Sequence, residues 1–492
     1  MLAGSATGLI VLGLTRPSAA FETEVEASTD AQFYMLRSPY GDPIVRRRRY
    51  TQTLGLSVYD IQGDAALSGP RLSFRSRMRL DADFGIEGAE SNPARRDQFV
   101  PGAEQAPIDL MYAYLQGEGY FGGWLGFRLG RQYVTDTLGF WSFDGGLVRL
   151  DTPVYFAVEA YGGFEQRGGL PISTSRFEGD GVFRGDRSDL EFGEYVGYLE
   201  ESELAPALGF AVESTGVHFL QTRLSYRRVQ NRDTVVVSPF PDAGGGLTTV
   251  GGDRVSSERL GYGLRVDEAS LGAAGGSLVY DFYAGIVSEY EGSLDWYANA
   301  MLTLGAAYEY YEPTFDGDSV FNWFSHEGSS SVLGRATLIF SRRIDVALTG
   351  GIEQFRTQGD PATYDETAPV LDASTLTDVL GSLTGRYRWA DGSVTLHALG
   401  EAGERGHRAG GDVTTKKLFG GGVYDMLVVS SLYDWSDALR PQRDAASFTY
   451  VLGGGMTPFE STRFGVEWEH TMNRLVGQRF RVLATLDLTV LK

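Results

Sequence analysis

The chain has 492 residues, with 43 Lys and Arg against 64 Asp and Glu, giving a net charge of −21; no basic patch stands clear of the strand pattern, so nucleic acid is not an expected partner. Cysteine is absent, which excludes disulfides, thiolate metal sites, a lipid anchor on Cys and a cysteine nucleophile. Hydrophobic residues at 42% and a mean hydropathy of −0.17 resemble a soluble protein, yet a membrane barrel averages out the same way because lipid-facing and lumen-facing side chains alternate; 65 glycines and 12% aromatics suit its turns and interfacial belts.

In chain order, the first feature is an apolar or small run from Leu2 to Leu14 followed by Pro17-Ser18-Ala19-Ala20. This predicts a signal peptide over residues 1–20, cleaved after Ala20, and export of residues 21–492 as a single domain. No Lys or Arg precedes the apolar run, so the true start is expected upstream. Beyond it no uninterrupted apolar stretch reaches the roughly 18 residues that a transmembrane helix needs. Any membrane crossing must use strands.

Strands announce themselves by a period of two. Over residues 71–82, Ser73, Arg75, Arg77, Arg79 and Asp81 oppose Leu72, Phe74, Met78 and Leu80. Over residues 257–267, Arg259, Gly261, Gly263 and Arg265 oppose Leu260, Tyr262, Leu264 and Val266. Similar runs lie near residues 50–61, 124–133, 188–199, 216–228, 276–288, 295–310, 332–341, 344–356, 378–389, 393–402, 445–455 and 463–470. In the last run, Phe480, Val482, Ala484, Leu486, Leu488 and Val490 share one face and Arg479, Arg481, Thr485, Asp487 and Thr489 the other, with Leu483 the exception. A strand that ends the chain so cleanly must pair with the first strand, because the bilayer leaves no backbone group unpaired. The terminal Leu491-Lys492 departs from the usual aromatic end.

Ala390-Asp391-Gly392-Ser393, Ser341-Arg342-Arg343 and Pro458-Phe459-Glu460 mark tight turns, and residues 87–106, 165–187, 231–256, 312–330, 358–376 and 404–414 are expected outer loops. Two of these loops are acidic, through Asp360, Asp365, Glu366 and Asp372 in one and Glu312, Asp316, Asp318 and Glu327 in the other. The parity of the alternation slips around residues 200–256 and 414–436. The expected fold is therefore an all-β, transmembrane antiparallel β-barrel of about 18 strands, within a range of 16–20, in the outer membrane of a Gram-negative bacterium. Its general partners would be outer-membrane lipids and the barrel assembly machinery. A soluble sandwich would also alternate, but its loops would need no consistent sidedness.

The polar faces carry Arg75, Arg77, Arg79, Arg128, Arg223, Arg227, Arg259, Arg265, Arg335, Arg386, Arg388, Arg479 and Arg481, with fewer acids, among them Asp81, Asp83, Asp281, Glu353, Glu467, Glu469 and Asp487. These arginines are the expected pore lining, since guanidinium groups on a channel wall attract anions and can hold a carboxylate or phosphate in bidentate fashion. Against that stands cross-strand pairing of Arg with acid for structure alone, and an Arg bias, since Lys makes up 3 of the 43 basic residues.

The stretch Leu129-Gly130-Arg131-Gln132, the stretch Trp141-Ser142-Phe143-Asp144-Gly145-Gly146 and the strand Leu147-Val148-Arg149-Leu150-Asp151 resemble a signature of the alginate-export-like porins. Asp318-Ser319-Val320-Phe321-Asn322-Trp323-Phe324 has a similar character. The resemblance implies a monomeric barrel of about 18 strands with an Arg-lined pore that passes an acidic polysaccharide outward, aided by a periplasmic export partner. It singles out Arg131 and Asp144 as pore or loop-anchoring residues, with a structural ion pair or turn as the plainer role.

Catalysis is not expected. Of the five histidines, His218 and His470 fall on apolar faces, His326 and His407 lie in expected loops, and only His397 shares a face with Thr395 and Glu401. Neither Gly-x-Ser-x-Gly nor His-Glu-x-x-His occurs, and no cofactor or metal is expected. Asp316-Gly317-Asp318-Ser319 lacks the remaining ligand spacing of a calcium loop and reads as solvated surface. The functional expectation is a channel for anionic solutes or a secreted polysaccharide; the alternatives are a general diffusion porin and a structural barrel anchoring an envelope machine.

Overall fold

The computed structural model describes residues 21–62, 69–83, 108–166, 205–231, 236–237, 249–250, 254–315, 328–357, 374–438, 441–475 and 477–491. The signal peptide, the run at 188–199, the acidic residues Asp316, Asp318, Glu327, Asp360, Asp365, Glu366 and Asp372, and His326 lie outside these residues.

The first nine strands are β1 (Glu22–Arg37), β2 (Pro43–Tyr59), β3 (Arg71–Asp83), β4 (Ile108–Gly119), β5 (Leu125–Asp136), β6 (Gly139–Asp151), β7 (Phe156–Glu165), β8 (Pro206–Ser214) and β9 (Leu220–Asn231). A two-residue pair, β10 (Val236–Val237) and β11 (Thr249–Val250), stands apart from the sheet. The circuit resumes with β12 (Arg254–Glu268), β13 (Gly272–Asp281), β14 (Ile286–Asn299), β15 (Leu302–Tyr311), β16 (Ser329–Ile339), β17 (Ile344–Thr357) and β18 (Ser374–Trp389). It ends with β19 (Gly392–Gly403), β20 (Gly406–Phe419), β21 (Tyr424–Asp437), β22 (Ala445–Phe459), β23 (Thr462–Asn473) and β24 (Gly477–Leu491). Each strand pairs antiparallel with the next, β9 with β12 and β24 with β1, so the 22-stranded sheet closes on itself. Closure removes the sheet edges.

The side chains explain why the closed sheet sits in a bilayer. Val25, Leu54, Met78, Val148, Leu208, Leu294, Val332, Val379, Leu432 and Leu486 all point away from the barrel axis and are 43–60% exposed. In water this encircling apolar band would be an enormous uncovered patch; in lipid it is solvated. No helix among the described residues is long and apolar enough to cross a membrane.

The strand ends that flank the longest connections, Asp83, Glu165, Asn231, Tyr311 and Thr357, lie at the rim opposite Glu22, whereas the near rim carries turns such as 152–155, 300–301, 390–391 and 460–461. Short turns face the periplasm in such barrels, which places the long-loop rim outside the cell. At the periplasmic turn 390–391, Lys417 Nζ donates to Asp391 at 2.9 Å and holds that carboxyl below the usual carboxylate range.

Several expectations need correction. The barrel has 22 strands, not about 18. β1 escaped notice because its lipid face alternates Val25, Ala27, Thr29 and Ala31 against Glu24, Glu26, Ser28 and Asp30, a weak contrast in hydropathy. The runs 276–288 and 295–310 each straddle a turn, at 282–285 and 300–301, and residues 406–414 of the expected loop at 404–414 are strand β20. Parity slips where the chain bulges between Val255 and Ser257 and where Gly420–Gly422 turns β20 into β21. His218 belongs to the turn before β9, and His407 lies on β20 beside Asp434.

Candidate functional site

One hairpin does not follow the wall. β5 and β6 pair along their whole length, from Leu125 with Leu150 to Asp136 with Gly139. However, β5 pairs with β4 only as far as Arg131, and β6 meets β7 only from Phe143 onward. The arm 132–142 therefore leaves the wall at the extracellular end and folds inward. Glycines permit the bend: Gly130 has φ 123°, and a Cβ on Gly145 or Gly163 would lie 2.1 Å from the facing carbonyl oxygen.

The inner side of the arm packs on β7–β9. Gln132, Val134, Trp141 and Phe143 are buried there with Tyr161, Ala207 and Val229, and Trp141 stacks on Phe143 at 4.4 Å. Burial of one such aromatic stabilises the packing by about 1.5–3 kcal/mol. Arg227 donates to the Leu138 carbonyl at 2.7 Å and lies 5.3 Å from the Trp141 ring centre. At the tip, Thr137 and Leu138 rest on Gly261 and Gly263 of β12, where an added Cβ would fall within 3 Å of them. The other side of the arm turns to the central lumen: Tyr133 stacks on Phe140 at 5.5 Å and lies 5.8 Å from the lumen-facing Tyr112 of β4.

Next to these rings runs the β3 ladder. Arg75, Arg77 and Arg79 share the face opposite the exposed Met78; Arg75 lies 5.2 Å from the Tyr59 ring, Arg77 is 3.9 Å from Glu26, and Arg79 is 6% exposed. Arg128 lies 6.0 Å from the Tyr114 ring. The other expected lining residues also point inward, most of them against acids. Arg223 joins Arg149, Glu159 and Glu213 in one network, Arg259 pairs with Asp281 at 3.0 Å, and Arg265 with Asp267 at 3.3 Å. Arg335 pairs with Asp295 at 3.2 Å and Arg388 with Asp345 at 2.8 Å; Arg479 and Arg481 share Glu469, and Arg386 lies opposite Asp345 in register without a direct ion pair. Arg227 is the latch of the hairpin.

Arg131 and Asp144 sit at the base of the arm. They are cross-strand partners on the outward face, joined by two hydrogen bonds of 2.8 Å, and Arg131 also donates to the Leu110 carbonyl. Neither reaches the lumen.

Glu289, Glu291 and Glu309 were not singled out from sequence. Glu291 and Glu309 are direct cross-strand neighbours on the inner face of β14 and β15, nine and ten strands around the 22-strand circuit from β3. The signal available was a run of acids on one parity without interleaved arginine. A cavity of about 640 Å³ beside the hairpin tip is lined in part by Thr137, Arg223, Arg265 and Glu291. Among the described residues no group of three or more potential ligands could hold a metal ion. His397 faces Asp412 at 3.2 Å, and His470 packs on Phe480 on the lipid side.

No family model matches the chain, and no curated protein does. Among solved structures, the siderophore receptor PirA from Pseudomonas aeruginosa superposes with a TM-score of 0.51 at 9% identity, covering 97% of this chain and 81% of PirA. That likeness shows the fold alone. OccAB1 from Acinetobacter baumannii (TM-score 0.43, 9% identity, 96% of each chain) and OccD3 from P. aeruginosa (0.40, 9%, 95% and 91%) are similar at a looser level. The chain thus shares the closed, membrane-type β-barrel fold. The resemblance to alginate-export-like porins finds no support in these comparisons.

Proposed function

We propose that the protein is an outer-membrane channel for hydrophilic solutes, and that its preferred solutes are anions with a ring-shaped or partly apolar body. One observation carries this reading: the in-folded hairpin brings Tyr133 and Phe140 beside Tyr112 and the Arg75–Arg77–Arg79 ladder, so guanidinium groups and aromatic faces border the same stretch of lumen. Guanidinium pairs with carboxylate or phosphate, while the rings offer apolar area at low entropic cost. An acidic sugar has both features, and a secreted acidic polysaccharide would use the same wall. Most other inward arginines are engaged by acids, whereas Arg75 on β3 lies against the Tyr59 ring.

Reconstitution of the purified protein in planar bilayers tests the proposal. Steady conductance with anion preference is expected, and acidic oligosaccharides added to one side should block the current transiently. Absence of ion current under all conditions would favour an anchoring barrel. Current without block or preference would favour a general diffusion porin.

A further inference from the structure

We propose that the cavity beneath the hairpin tip is a subsite for an uncharged, hydroxyl-rich group, namely a neutral sugar residue of the permeating solute. Such a subsite presupposes the channel proposed above and gives its solute a second contact, on a different wall from the β3 ladder. The cavity holds about 640 Å³, within the range of small-ligand pockets. Thr137 roofs it, and its walls come from the periplasmic halves of β8, β9, β12, β13 and β14.

The floor is carved by side chains that are small. Gly263 pairs with Ser277 and Gly275 with Ser293, while Ala273 is the next inward residue along β13, so five adjoining inward positions carry nothing larger than serine. Gly263 has a packing reason, since a Cβ there would lie 2.8 Å from Thr137 Cγ2. Gly275 has none. A Cβ there would have the Leu264 carbonyl oxygen and Ser293 Oγ as its nearest contacts, each at 3.5 Å, and the backbone is not left-handed, so a larger residue could stand at this position. The missing side chain gives the wall its depth and lets a ligand approach the backbone closely.

The chemistry of the lining selects the ligand class. Among the described residues the cavity's charges cancel in pairs, Glu291 excepted: Arg223 is held by Glu213 and Glu159, Arg265 by Asp267 at 3.3 Å, and Asp295 by Arg335 at 3.2 Å. Glu291 has Ser277 and Glu309 as its register neighbours. An anion would therefore meet a carboxylate with no basic excess to offset it. A simple cation would use Glu291 but neither the exposed guanidinium of Arg265 nor the hydroxyls of Thr222, Ser277 and Ser293. A sugar ring uses all three: its hydroxyls donate to carboxylate, accept from guanidinium and exchange both ways with serine and threonine.

Saturation-transfer difference NMR on the detergent-purified full chain tests the subsite with the neutral trisaccharides maltotriose, cellotriose and mannotriose. At least one should receive transfer from wild type, and Gly275→Leu, which fills the floor and is checked for heat-modifiable migration, should abolish that signal. Equal signals from wild type and the folded variant overturn the proposal, because the sugar would then sit elsewhere. Absence of transfer to all of these sugars overturns it even if the variant does not fold, and transfer to spermidine in their place would make the cavity a cation site. Trigalacturonate reads the β3 ladder separately, and its signal should persist in Gly275→Leu. A wild type that takes a neutral sugar but not trigalacturonate would remove the anion preference proposed above and leave the subsite standing.

Discussion

At the scale of single residues, face decides tolerance. Leu486 points to lipid, 43% exposed, opposite Thr29 on β1 and Phe464 on β23, while its neighbour Thr485 points inward. An arginine at Leu486 must keep its charge in hydrocarbon or snorkel away from it, so Leu486→Arg should destabilise the barrel by about 2–4 kcal/mol, whereas Thr485→Arg meets water. Heat-modifiable migration and the urea midpoint of the two variants check this, and equal stability would mean that the register of β24 is shifted by one residue. This face was legible because six apolar residues alternate with charged and hydroxyl ones. Arg131 and Asp144 were less legible: sequence marks them as a pair worth notice, but a charged pair on the outward parity runs against the alternation rule, and only the departure of the hairpin from the wall explains its place.

At the scale of elements, the in-folded β5–β6 hairpin should be held shut by contacts that a covalent link would not disturb. The chain has no cysteine, so an engineered pair is free of competitors. An added Cβ at Gly263 lies 2.8 Å from Thr137 Cγ2, which puts the two Cβ atoms about 4 Å apart, within the span of a disulfide. Thr137→Cys with Gly263→Cys should therefore oxidise readily in the folded protein, and conductance should match that of the reduced form. A pair that stays reduced under oxidising conditions would place the hairpin elsewhere. Nothing in the sequence announces the inward fold, because Gln132, Val134, Trp141 and Phe143 keep the period of two through the bend, and a glycine that permits a bend reads like any glycine in a strand. The strand count was under-read for a related reason, since β1 presents alanine and threonine to lipid where other strands present leucine and phenylalanine.

At the scale of the whole molecule, the lumen is polarised across its width. Arg75, Arg77 and Arg79 follow one another at a two-residue spacing on β3, so their charges lie about 6–7 Å apart along the strand. Glu289, Glu291 and Glu309 lie nearly across the barrel on β14 and β15. At about 0.15 M salt the Debye length is about 8 Å, short enough that each wall governs the ions passing near it and long enough that neighbouring ladder charges act together. Wild type should therefore prefer anions along the β3 wall, where the hairpin narrows the passage. Replacing Arg75, Arg77 and Arg79 together by Glu would make both walls acidic and should move the reversal potential in a salt gradient toward cation preference, with the shift shrinking as salt is raised. Glu26, 3.9 Å from Arg77, would then repel the new carboxylate at that position. An unchanged reversal potential in a folded triple variant would show that the permeating ions pass away from β3, and the assignment of anion preference to the ladder would fall while the barrel and its inward hairpin remained.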